Sequence, residues 1–60
     1  MIHEGDCIKS RHYDNLEGFE KKYGKQFGRV LHISFDGITI FTDREITMSL
    51  GEFNENWMID

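Results

Sequence analysis

The chain has no proline, one cysteine and only seven basic residues against eleven acids, and each scarcity excludes something. With Cys7 alone, no internal disulfide can form, whereas a secreted chain of this length is ordinarily disulfide-dense. A reducing, cytoplasmic setting is therefore expected. No apolar run approaches the ~20 residues that cross a bilayer, and no charged start followed by an apolar stretch marks a signal peptide, so a soluble protein is expected. The net charge of −4 argues against a protein that coats DNA, because phosphate binding runs on Lys and Arg that displace counterions. Repeats and low-complexity segments are also absent, so residues 1–60 read as one domain. A core in this size range rarely supplies more than ~3–5 kcal/mol.

What is present is unevenly spread. Residues 9–29 carry six of the seven bases for a local charge of +3, while residues 36–60 set Arg44 alone against six acids, for −5. Between these poles lies GRVLHISFDGITIFTD, residues 28–43, which reads as a hairpin closed on Asp36-Gly37, a dipeptide suited to a two-residue type I′ turn. That register pairs Phe35 with Ile38, Ile33 with Ile40 and Leu31 with Thr42, putting five apolar residues on one sheet face. Val30, His32, Ser34, Thr39, Phe41 and Asp43 fall on the other face.

A turn at Asp43-Arg44 leads into a third strand, in which Ile46, Met48 and Leu50 alternate with polar residues. The alternation then stops. GEFNENWMID predicts a helical turn over 52–56 and a short last strand at Trp57, Met58 and Ile59, and Cys7, Ile8 and Lys9 form a short first strand. The long connection from Arg11 to Phe27 admits a short helix or an ordered loop. Asp14 and Glu17 have capping-box spacing, Leu16, Phe19 and Tyr23 share a helical face, and Gly24 is placed to end the helix.

The resulting order is a strand, a long excursion, three strands joined by tight turns, a helical turn and a last strand. It resembles the SH3-like small barrels. GDCIK at 5–9 and FGRVLHI at 27–33 resemble the KOW-type version, in which a Gly-Asp-x-Val opens the first strand and a Gly followed by alternating apolar residues opens the second. The resemblance implies a mainly β, five-stranded barrel with an insertion between its first two strands. By position it also implies that Lys25, Phe27 and Arg29 lie where nucleic acid or a partner protein is met.

Candidate chemistry is sparse. His3, His12, His32 and Cys7 offer no compact metal-ligand pair, so no metal or cofactor is expected. Cys7 lies in no catalytic signature, and a barrel of this size leaves little room for a substrate pocket of ~300 Å³ or more. A non-enzymatic binding module engaging a protein partner is the expectation, of the kind a bacteriophage encodes as a small accessory or regulatory protein. Its anchors would be Phe53 and Trp57 with Glu52 and Glu55 as an acidic rim, the alternative being that these two aromatics close the barrel. The alternative is nucleic-acid or ribonucleoprotein binding through Lys21, Lys22, Lys25, Phe27 and Arg29, where bases stack on aromatics and cations follow the backbone. A monomer or a weak homo-oligomer through an open barrel edge is expected, with no membrane partner.

Overall fold

A computed structural model describes residues 1–60. Five strands, β1 (Cys7–Ser10), β2 (Phe27–Ser34), β3 (Gly37–Phe41), β4 (Glu45–Met48) and β5 (Trp57–Ile59), form one sheet in the order β4-β3-β2-β1-β5, every neighbour antiparallel. Two helices interrupt them: α1 (Leu16–Tyr23) between β1 and β2, and α2 (Leu50–Asn56) between β4 and β5. The fold is mainly β, and its hydrogen-bond ladder is not closed, because β4 and β5 are the two edges.

The hairpin forms, but with its turn one residue earlier than the Asp-Gly signal predicts. Ser34 pairs with Gly37 and Ile33 with Ile38, so Phe35 and Asp36 make the turn, and neither has the positive φ that a type I′ turn requires. The expected partners of Phe35, Ile33 and Leu31 are therefore corrected. Beyond the turn, a β-bulge between Val30 and His32 shifts the register once more. The extra residue lets both Val30 and Ile33 turn to the core, opposite Ile40 and Ile38, and leaves Leu31 and His32 exposed opposite Thr39. Glu4 answers the irregularity by accepting the Ile33 amide at 3.1 Å and facing His32 Nδ1 at 3.1 Å. Phe35, expected inside, is 97% exposed at the turn. Gly37 matters for packing instead of turn geometry, since a Cβ there would lie 2.9 Å from the Met48 carbonyl oxygen.

The excursion is helical, and it is capped differently from the capping-box pattern. Asn15 precedes α1 without a side-chain cap, and its carbonyl accepts the Phe19 amide at 3.0 Å. At the other end Gly24 takes φ +92°, a conformation that favours glycine, and returns its amide to the Glu20 carbonyl at 2.7 Å. Phe19 and Tyr23 are buried on one face, whereas Leu16 is 37% exposed. The predicted third strand stops at Met48, because Ser49 caps α2 by accepting the Glu52 amide at 3.1 Å, and Leu50 becomes helical and exposed.

The core is Ile8, Phe19, Tyr23, Val30, Ile38, Ile40, Met48, Phe53 and Trp57, with Ile2, Ile33 and Ile46 packed against it. Phe53 and Trp57 are 1% and 0% exposed. Truncating either to alanine costs about 3–5 kcal/mol, comparable to the ~3–5 kcal/mol that such a core supplies. Phe53→Ala and Trp57→Ala are expected to be largely unfolded by circular dichroism, whereas Phe35→Ser shifts the urea midpoint by less than ~0.5 kcal/mol equivalent. A folded Phe53→Ala variant with an unshifted midpoint would contradict this core.

Candidate binding surface

Of the surfaces expected to carry function, the carboxy-terminal one is mostly interior. Phe53 and Trp57 have no surface to offer a partner, so the acidic-rimmed aromatic patch does not exist as a patch. Alternation along β5 turns Trp57 inward, where Phe19 and Tyr23 meet it edge-on at ring distances of 5.0 and 5.7 Å. Glu52 is half-buried and already engaged: its Oε2 accepts the Tyr23 hydroxyl at 2.6 Å and stands 3.8 Å from Lys22 Nζ. Glu55 alone of the four is freely exposed.

The basic segment divides in two. Lys21 and Lys22 belong to α1, and Lys22 also lies over the Tyr23 ring at 5.3 Å, so part of its charge is spent on holding the helix to α2. Lys25 is exposed in the link to β2, and Phe27 and Arg29 follow on β2 itself. Alternation sends Phe27 and Arg29 to the outer face of the sheet, away from Gly28 and Val30.

That outer face is the most distinctive surface of the molecule. Phe27 is 58% exposed, Phe41 45% and Leu31 41%, and no element covers them. The register places Glu45, Phe41, Arg29 and Cys7 in one row across β4, β3, β2 and β1. Lys9 pairs with Phe27 on one side and Met58 on the other, and Thr39 meets Thr47 through a 2.9 Å hydroxyl contact. The charges here are mixed. Lys9 is tied to Asp60 at 3.8 Å, and His32 faces Glu4, but Arg29 reaches only Cys7 Sγ at 3.7 Å and Glu45 forms no ion pair. Phe41, Glu45 and Leu31 were not expected among the candidate binding residues. The hairpin pattern does put Phe41 opposite to the core residues, which is the signal that marks it, but the bulge that exposes Leu31 leaves no trace in composition.

A small open cleft of about 240 Å³ lies beside α1, lined by His12, Asn15, Gly18, Phe19, Lys22, Tyr23 and Asn56. It falls below the ~300 Å³ at which ligand pockets usually begin. Cys7 is exposed beside Arg29, without a histidine to activate it. No three of the His, Cys, Asp and Glu side chains converge on a point where a metal ion could sit. Comparison of the chain with protein-family models, curated proteins and solved structures finds no match.

Burial first, then the hydrogen bond to Glu52 and the negative charges of Glu52 and Glu55, push the Tyr23 phenol well above its ordinary value of 10. The folded state thus holds this proton more tightly than the unfolded chain. The corresponding stability is fully present below pH 10 and is lost as pH rises from there toward the folded pKa. Urea unfolding from pH 8 to 11 should show stability declining above pH 10, and Tyr23→Phe should flatten the decline. An equal slope in both proteins would contradict the assignment.

Proposed function

We propose that this chain is an SH3-like small barrel that acts as a non-enzymatic binding module, engaging a protein partner through the outer face of its sheet. The barrel reading is supported by the strand order, in which β5 returns beside β1, and by α2, which bridges the open edges. The observation that carries the function is the set of uncovered apolar side chains on this face, Phe27, Leu31 and Phe41, at three levels of the sheet and among charges of both signs. Aromatic anchors within a polar surround are the composition of protein interfaces, and a mixed surface suits a protein better than a polyanion. The exposed free thiol of Cys7 fits a reducing, cytoplasmic compartment, and no helix is long and apolar enough to cross a membrane.

Nucleic acid is the second reading, favoured by one observation: Phe27 and Arg29 stand together on the exposed face with Lys25 just upstream and Lys21 on α1. This arrangement offers a stacking ring beside cations. The two readings separate on one experiment. Partner capture should survive nuclease and be lost in a folded Phe27→Ala/Phe41→Ala variant. Capture that nuclease abolishes, and that Lys21→Glu/Lys25→Glu removes, would transfer the function to nucleic acid. Capture indifferent to Phe27 and Phe41 would reject the outer face altogether.

A further inference from the structure

The row Glu45, Phe41, Arg29 has a symmetry that the rest of the surface lacks. The three residues sit on adjacent strands at one level of the sheet, with Phe41 in the centre and opposite charges one strand spacing, about 4.8 Å, to either side. Both charges are exposed, and neither has an oppositely charged partner within the chain. The other cation and the histidine on this face, Lys9 and His32, are already matched by Asp60 and Glu4.

Two identical faces can meet about a two-fold axis lying in the contact plane. If that axis runs along β3, it leaves Phe41 facing its own copy and exchanges β2 with β4. Arg29 of one molecule then opposes Glu45 of the other, and the pairing occurs twice because the contact is self-complementary. The same operation brings the bulge of Leu31 and His32 against Thr47. We infer that a second copy of this chain docks on the outer sheet face, with Phe41 on the two-fold axis and two reciprocal Arg29–Glu45 pairs flanking it. This rests on the proposed reading of that face as the binding surface and names its partner. The flanking charges explain why an exposed Phe41 is tolerated there. They also fix the register of two sheets that would otherwise slide.

The contact centres on a row about 10 Å across, and it buries less than the ~800 Å² per partner of a standard interface. A weak dimer follows, populated at high concentration.

The test is sedimentation equilibrium and concentration-dependent NMR shifts up to about 1 mM, on the wild-type chain and on Arg29→Glu and Glu45→Arg. Each single variant should associate at least roughly tenfold more weakly, since it places like charges opposite each other at two points. An equimolar mixture of the two variants should regain association, because Glu at position 29 then meets Arg at position 45 across the interface. Both sites are exposed, and circular dichroism should confirm that each variant is folded. A wild-type chain that stays monomeric throughout, or association unchanged by either reversal, would overturn the second copy as partner. Neither result would touch the protein-binding reading, which falls only if nuclease-resistant capture is indifferent to Phe27 and Phe41.

Discussion

The contact on which the structure depends is the packing of Trp57 against Phe19 and Tyr23. Each residue comes from a different part of the problem: Phe19 and Tyr23 from the long excursion, Trp57 from the last strand. In a sixty-residue chain the sheet alone cannot cover its own inner face. The two rings on α1 complete that cover, and polar contacts then hold the helix in place. Thr42 donates to the Tyr23 carbonyl, Arg44 to the Lys22 carbonyl at 3.2 Å and Tyr23 to Glu52, while Arg11, ahead of the helix, donates to the Trp57 carbonyl at 2.8 Å. The Thr42 and Arg44 contacts come from the β3–β4 turn and satisfy carbonyls at the end of α1 that the helix itself leaves open. The Trp57 Nε1 is buried without a hydrogen-bond partner.

Putting these aromatics inside determines what is left outside. Trp57, Phe53, Phe19 and Tyr23 are consumed by the core, so an exposed Phe27 and Phe41 are not overflow from a crowded interior. They occupy alternate positions of strands whose inward residues are Val30, Ile38 and Ile40. A solvated sheet face needs no aromatics at such positions, since one polar face is the usual condition of an antiparallel sheet. Their presence is why the proposed binding surface is this face and not the acidic carboxy terminus, whose aromatics are buried in the core.

The fold was largely legible because its signals are local. Alternation at Ile46 and Met48, the pairing potential of residues 28–43 and the helical spacing of Phe19 and Tyr23 each identified an element that the structure contains. Misplacements came where tertiary contact overrode a local preference. Asp36-Gly37 is a strong turn dipeptide, yet Gly37 pairs with Ser34 and is used where Met48 approaches closely, and the bulge after Val30 shifts the register again farther along the hairpin. Asp14 and Glu17 offered a capping box, but Asn15 precedes the helix. The candidate site was less legible for a related reason. Whether Trp57 and Phe53 face in or out depends on which way the last strand and α2 dock, and no local pattern encodes that. The Glu45, Phe41, Arg29 row likewise exists only once register joins three strands.

The separation of an aromatic core from an aromatic face is the central claim, and the single tryptophan reports on it directly. Fluorescence of the native protein should show blue-shifted Trp57 emission, with acrylamide and iodide quenching far below that of the urea-unfolded chain, since the side chain is 0% exposed. Native emission at the wavelength of a solvated indole, quenched as readily as in urea, would put Trp57 on the surface. That result would contradict the account.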